Sequence, residues 1–351
     1  MLHCPACGTD YEDRWRCPCG HPLEFDERPR PDRFDPDPRE GLWAYAPFLP
    51  VERRVSFGEG YTPLVDAPRW DAGFKLEYVF PTGSFKDRGA TTTLSRAVDV
   101  GAERVVEDSS GNAGAAIATY AARAGVDCAI YVPAAVKESK VRAIERAGAE
   151  VVRVEGSREA VTDACVDAVE DGEGWYASHA WNPAFFAGTA TFAYELAHQR
   201  DWAVPDAVVL PLGHGTLFLG AYRGFRALVE AGWTDRLPRL LGVQATGYDP
   251  IARELHGEGG EERNDLADGI QIRDPVRREE ILAAVEATDG DVIGVGSDAV
   301  RRELDALHAD GFYTEPTCAA APAGLRAYRE RGVLDDGADV VVPLTGSGLK
   351  T

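Results

Sequence analysis

From about residue 55 the chain alternates between short apolar runs and longer stretches whose apolar positions recur at helical spacing. FKLEYVF (74–80) reads as a strand, and FKDRGATTTLSRAVDVG (85–101) as a helix stopped by Gly101. ERVVEDSS (103–110) is a strand running into a loop, AGAAIATYAARAG (113–125) an Ala-rich helix with a Gly stop, and VDCAIYVP (126–133) a strand. ESKVRAIERAG (138–148) is a helix, AEVVRVEG (149–156) a strand, and 157–171 a further helix. DAVVLPLG (206–213), RLLGVQATG (239–247) and ADVVVPLTGSG (338–348) are apolar strands that end in Gly-rich turns.

Short buried strands alternating with helices predict α/β layers with parallel sheets, in which ligands bind beyond the carboxyl ends of the strands. Three polar or Gly-rich loops fall at that edge: SSGNAG (109–114), GHGT (213–216) and TGSG (345–348). Residues 1–25 form a Cys-rich head. Residues 26–40 are rich in Pro and charge and read as a linker or extended wrap, with the arm reaching residue 56. The stretch 255–266, rich in Gly and charge, is expected as an exposed or mobile loop.

Composition narrows the partners. At 351 residues with 44% hydrophobic residues, the chain is long enough for two domains and a sizeable core. The net charge of −21 argues against nucleic acid, whose phosphates would be repelled. Only five lysines occur (Lys75, Lys86, Lys137, Lys140, Lys350), and acidity joined to lysine depletion predicts adaptation to high salt. No apolar run is long enough to span a membrane, and MLHCPACGTD lacks the apolar core of a signal peptide, so a cytoplasmic protein is expected.

Cys4, Cys7, Cys17 and Cys19 stand in CPACG and CPCG. Two clustered pairs, each followed by Gly, suit four thiolates around a structural zinc. The CxC spacing is tighter than the usual CxxC. A 25-residue head builds no core of its own, and metal would supply the missing stability. Disulfides or free thiols are the alternatives, with His3 and His21 as bystanders. Cys128, Cys165 and Cys318 lie in apolar contexts and are expected in the core.

The loops gain meaning beside Lys86, which starts a helix after a glycine and an aromatic. SSGNAG opens a helix whose amides can embrace a carboxylate, and its Asn offers an amide to a ring substituent. GHGT follows a strand and suits a phosphate monoester, yet it is neither a Walker loop nor GxGxxG. TGSG offers hydroxyls for one polar contact. Pyridoxal phosphate uses all four features, with Lys86 as the Schiff-base amine. Each loop alone is more often a plain turn.

TGSFKDRGA together with SSGNAG resembles the fold type II pyridoxal-phosphate enzymes. The Cys head, FGEGYTPLV (57–65), YVPAAVKESK (131–140), GVQATGYDPI (242–251), EPTCAAAPAGL (315–325) and LTGSGLK (344–350) resemble the threonine synthase family in particular, in one order over nearly the whole chain. The resemblance implies a tryptophan synthase β-like fold: two open-sheet, three-layer α/β domains with a small zinc-ribbon-like head. A smaller domain of about 90–185 would be inserted in a larger one (57–89 and 186–351). It implies Lys86 as Schiff base and acid/base. Phe85, Asn112, Gly213, His214, Gly215, Thr216, Leu217 and Thr345 would hold the cofactor, with Ser347 a weaker candidate for the Thr345 role. Ser109, Ser110, Gly111 and Lys140 would hold the substrate. The implied reaction takes O-phosphohomoserine and water to threonine and phosphate, on a small amino-acid substrate, with a homodimer as an expected state.

The sequence departs from that pattern at four places. Phe80 replaces an Asn, Ala113 a hydroxyl residue and Phe185 an Arg, and His214 with its neighbours alters the phosphate turn. Each charged hydrogen bond lost from a dianion site removes about 1.5–3 kcal/mol. Arg88, Arg142 or His214 are the replacements to look for. A threonine or serine dehydratase, or another elimination or replacement enzyme of the group, is the second expectation. A cofactor-binding regulatory paralogue is the third.

Overall fold

The computed structural model describes residues 1–257 and 263–350. It divides into two compact units, Met1–Gly60 with Lys86–Thr189 (unit 1) and Tyr61–Phe85 with Ala190–Thr351 (unit 2).

Unit 1 opens with three two-residue strands, β1 (Leu2–His3), β2 (Asp10–Tyr11) and β3 (Glu24–Phe25), in an antiparallel sheet of order β2-β1-β3. Leu2, Cys4, Leu23 and Phe25 bury themselves against Val51 and Ala184 of the same unit, which gives the small head an apolar anchor. Part of the expected extended arm is coiled instead. Residues Pro38–Phe48 form 3-10 turns begun by Pro38 and capped by Asp37, whose side chain accepts from the Arg39 amide. Burial of Leu42, Trp43, Tyr45 and Phe48 outweighs the Pro- and charge-rich composition. Gly41, at φ 60°, lets this segment pass the backbone of Glu59, whose carbonyl oxygen lies 2.1 Å from where a Cβ would sit.

Strands β4 (Leu64–Ala67) and β5 (Ala72–Lys75) belong to unit 2, and the strand expected over 74–80 ends early, in a short 3-10 turn over Glu77–Val79. The sheet of unit 1 is parallel throughout, in order β8-β7-β6-β9, from β6 (Arg104–Glu107), β7 (Asp127–Pro133), β8 (Glu150–Val154) and β9 (Trp175–Tyr176). Side-chain alternation gives it two apolar faces. Val105, Cys128, Ile130 and Val132 pack with helices α1 (Lys86–Asp99), α2 (Asn112–Ala124) and α3 (Glu138–Arg146). Val106, Ala129 and Tyr131 pack with Val161, Cys165 and Ala168 of α4 (Arg158–Glu170). The unit is therefore three layers deep.

Helix α5 (Pro183–His198) starts in unit 1 and ends in unit 2. The sheet of unit 2 runs β12-β11-β10-β13-β5-β4, using β10 (Ala207–Pro211), β11 (Arg239–Ala245), β12 (Asp291–Val295) and β13 (Val340–Pro343). All neighbours are parallel except β4, which pairs antiparallel with β5, so the purely parallel expectation is corrected at this edge. The four residues between β4 and β5 are too few for a crossover, and a short link forces antiparallel pairing. One face packs on α9 (Ser297–Ala309) and α10 (Ala320–Glu330) through Val243, Ile293, Leu307 and Leu325. Cys128, Cys165 and Cys318 are buried as expected. Of the loop expected over 255–266, the central residues lie outside the described ones. His256 ends a helix and Asn264 is buried, its amide donating to the Val295 carbonyl.

Candidate active site

In unit 1, Lys86 is the first residue of α1 and is half-buried. Its Nζ sits 5.7 Å from the centre of the Phe185 ring. That ring is wholly buried against α1 at Gly89, where any Cβ would come within 2.2 Å of a ring carbon. Phe185 is thus a packed wall beside Lys86. Arg88, one of the expected substitutes for a phosphate contact, is completely buried, whereas Arg142 is exposed.

β6 ends in Glu107, and the chain turns through Ser109, Ser110 and Gly111 into α2, whose first residue is Asn112. The Gly111 amide donates to Ser109 Oγ at 3.3 Å. Gly114 lies so close to Ser109 that a Cβ there would meet its carbonyl oxygen at 1.8 Å, which keeps the loop folded tightly over the helix start. Gly111 caps α2 without a side-chain hydrogen bond. The helix start is left open to an anion. Ala113 is buried in that first turn, and Lys140 is half-buried near the start of α3.

In unit 2, Gly213–Leu217 join β10 to helix α6 (Thr216–Glu230). Gly215 holds φ 81° as the cap of α6, again with no side-chain capping bond. A Cβ there would strike Ile281 at 2.8 Å, so both the left-handed backbone and the close packing require glycine. Phe85 and Thr345, far apart in sequence, are brought together: the Phe85 amide donates to the Thr345 carbonyl at 3.1 Å. Ser84 bridges Gly346, and its buried Oγ has no hydrogen-bond partner among the described residues. The Thr345 amide in turn donates to the sulfur of Cys318, a thiol that burial pushes up to about 12. Phe80 is buried at the turn before Gly83.

Two residues that the sequence reading passed over stand behind the Phe185 ring that Lys86 faces. Glu107 is wholly buried, and its Oε1 lies 2.6 Å from Nδ1 of His179, a ring 6.0 Å from that of Phe185. Burial drives the Glu107 carboxyl well above its ordinary range, aided by Asp108 and opposed by Lys86. The signal was present as an acid closing the short strand β6, but its partner lies 72 residues away.

The profile of the family described as pyridoxal-phosphate dependent enzyme matches residues 55–346. A threonine synthase of Methanosarcina acetivorans is 35% identical over 324 residues, spanning 88% of this chain and 80% of that one. The chain belongs to the threonine synthase family of pyridoxal-phosphate-dependent enzymes. A threonine synthase of Methanocaldococcus jannaschii is 32% identical over 380 residues, covering 100% of this chain and 93% of the other, Cys head included. Among solved structures, a pyridoxal 5'-phosphate-dependent aspartate racemase superposes with a TM-score of 0.70 at 26% identity, covering 82% of this chain and 90% of that chain. Membership makes the chain a pyridoxal-phosphate-dependent lyase with the α/β fold type II architecture and mixed sheets. The donor set fits the family's cofactor. Two helix starts without side-chain caps suit its phosphate and a substrate carboxylate, and an amine, an amide and hydroxyls stand at the positions of the family motifs.

In the head, the four Sγ atoms of Cys4, Cys7, Cys17 and Cys19 lie within 4.8 Å of one another, with Cys4–Cys19 at 3.6 Å and Cys7–Cys17 at 3.4 Å. Tetrahedral zinc with Zn–S near 2.3 Å puts its sulfurs about 3.8 Å apart, so the spacing fits. Gly8 (φ 73°) and Gly20 (φ 91°) close the two turns, their amides donating to the Cys4 and Cys17 carbonyls at 2.9 Å. Among the described residues no helix is long and apolar enough to cross a membrane.

Proposed function

We propose that this chain is a threonine synthase, converting O-phosphohomoserine and water to threonine and inorganic phosphate. The observation that carries the reading is the alignment with the Methanocaldococcus jannaschii threonine synthase, which runs through the whole chain and nearly all of that protein.

When bound, the cofactor supplies an electron sink for the bond electrons at the substrate α-carbon. Lys86 would hold the cofactor, and its free amine would take and return the proton at that carbon. Ser109, Ser110 and Gly111, with the α2 amides, hold the substrate carboxylate. Asn112 would donate to the cofactor's phenolic oxygen, and Phe85 would contribute an aromatic side chain to the cofactor site. Gly213, His214, Gly215, Thr216 and Leu217 hold its phosphate at the start of α6, where the uncapped amides favour a dianion. The Thr345 hydroxyl would face the ring nitrogen. A hydroxyl, unlike an acid, leaves that nitrogen unprotonated and favours elimination and replacement over transamination. Lys140 binds the leaving phosphate. Burial of Phe185 against Gly89 supports reading it as part of the wall beside Lys86, so phosphate binding rests on other groups. Cys4, Cys7, Cys17 and Cys19 hold a structural zinc. The acidic surface suits a cytoplasm of high salt.

A substrate panel in molar potassium chloride tests the assignment. Phosphate release from O-phosphohomoserine with matching threonine formation supports it. Turnover of threonine or serine to 2-oxo acids, with O-phosphohomoserine inert, overturns it in favour of a dehydratase. Absence of any turnover by the cofactor-loaded protein overturns it in favour of a regulatory role.

A further inference from the structure

Glu107, His179, Phe185 and Lys86 form a continuous line through unit 1. Glu107 meets one residue twice: the His179 amide donates to Oε2 at 3.2 Å, and the ring Nδ1 lies 2.6 Å from Oε1. The Glu107 side chain is 0% exposed and that of His179 is 7% exposed. The imidazole meets the Phe185 ring edge-to-face at 67°, and Lys86 Nζ approaches the same ring. Gly89 leaves the space that the Phe185 ring fills.

A buried acid–imidazole pair is costly to keep and contributes little net stability over an apolar replacement of the same shape. Its place behind the ring that faces the one lysine that must change charge during turnover calls for an electrostatic reason. We infer that Glu107 and His179 are positioning residues that act on Lys86 through charge: the pair surrenders its proton when the nitrogen of Lys86 is cationic and holds it when that nitrogen is neutral. The proton that Lys86 takes from the substrate is matched by one that the pair releases to water at the 7%-exposed His179, so the net charge buried here stays constant. Phe185 spaces the two and offers its ring face to the amine. This rests on Lys86 being the cofactor-bearing lysine.

The groups around Glu107 agree with this role. Asp108 follows it in the chain and repels its charge, and it is occupied by hydrogen bonds from Thr162 (2.5 Å) and Tyr176 (3.0 Å). Lys86 from α1 and Arg158 from α4 favour the ionised form. Cys128 on β7, Cys165 on α4 and Tyr176 on β9 are all held neutral, mainly by burial. Lys86 is therefore the neighbour of Glu107 whose charge changes in the catalytic cycle.

The test compares the holoenzyme with Glu107→Gln, which keeps shape and hydrogen bonds but cannot ionise, and with Lys86→Met. In Glu107→Gln the pH midpoint of the cofactor's visible absorption is expected to fall by roughly one unit, the lower end of the effect of a nearby charge. In Lys86→Met an infrared band of a protonated carboxylic acid is expected to grow relative to the native protein and to vanish in Lys86→Met/Glu107→Gln. An unmoved midpoint overturns the inference, because a purely structural pair would change only thermal stability. Should Glu107→Gln fail to fold, the native and Lys86→Met infrared spectra decide alone, and no gain of the acid band overturns it. The reading of Lys86 fails separately, if Lys86→Met keeps the native visible absorption.

Discussion

Lys75 and Glu195 form an ion pair at 2.5 Å in unit 2, with both side chains completely shielded from solvent. The Lys75 ammonium also donates to the carbonyl and hydroxyl oxygens of Thr62, at 2.5 and 2.6 Å. Glu195 accepts the amides of Tyr61 (2.8 Å) and Thr62 (2.7 Å), and the Thr62 hydroxyl reaches on to Glu77. One buried cation thus pins the turn before β4, where Tyr61 holds φ 49°. Glu195→Gln strands a buried ammonium and is expected to cost about 3–5 kcal/mol. Lys75→Met/Glu195→Leu should recover most of it. Thermal unfolding of the three proteins at fixed salt checks this, and a single variant as stable as the double one refutes it.

Gly188, in the first turns of α5, lies on α1. A Cβ there would be 1.9 Å from the Arg88 carbonyl oxygen and 2.3 Å from Thr92 Oγ1. Helix propensity alone favours Gly188→Ala by about 1 kcal/mol. Overpacking against backbone costs about 1–3 kcal/mol or more. The clash wins because a carbonyl in a helix cannot rotate away, so a lower denaturation midpoint is expected. A raised midpoint would mean that the two helices separate easily.

The pH dependence of stability carries a sign. The carboxyl of Glu107 is raised in the folded protein, mainly by burial, so above its ordinary value the unfolded chain binds fewer protons than the folded one. Stability then falls as pH rises above about 4.3, with a limiting slope near 1.4 kcal/mol per pH unit. Glu107→Gln removes this component, so its advantage over the native protein should grow between pH 5 and 8, within roughly those bounds. Chemical denaturation at several pH values measures it. A constant difference between the two proteins would show that Glu107 is not raised.

Zinc removal should loosen the head first. With the four sulfurs within 4.8 Å of one another, a chelator is expected to extract about one zinc per chain. Cleavage by protease within residues 1–25 should follow, since without metal only the small apolar anchor on Val51 and Ala184 holds the head. Cys17→Ser should lower the zinc content measured by atomic spectroscopy. Full zinc retention in that variant would exclude Cys17 as a ligand.

Much of this was legible along the chain. The α2 helix announces its end in Gly125, which takes φ 69°, because few residues other than glycine adopt that conformation easily. The cysteine pairs and the TGSFK and SSGNAG stretches were readable for the same kind of reason: their chemistry depends on residues a few positions apart. For Phe185 the sequence showed the departure from the family pattern but not its packing. Its surroundings come from α1, nearly a hundred positions earlier, where a missing side chain at Gly89 opens its place. The early end of β5 and the antiparallel edge strand also followed from packing and link length that no local pattern displays.

The sequence alone determined the helices and strands, the cluster of thiols and the amine at the start of α1, because propensity, glycine stops and close spacing are local properties. Only the tertiary structure decided that Glu107 meets His179, that Lys75 lies beneath Thr62, and that Thr345 reaches Phe85. Those contacts join residues tens to hundreds of positions apart. Burial, which sets the charge of such groups, is a property of the packed units and of no single segment.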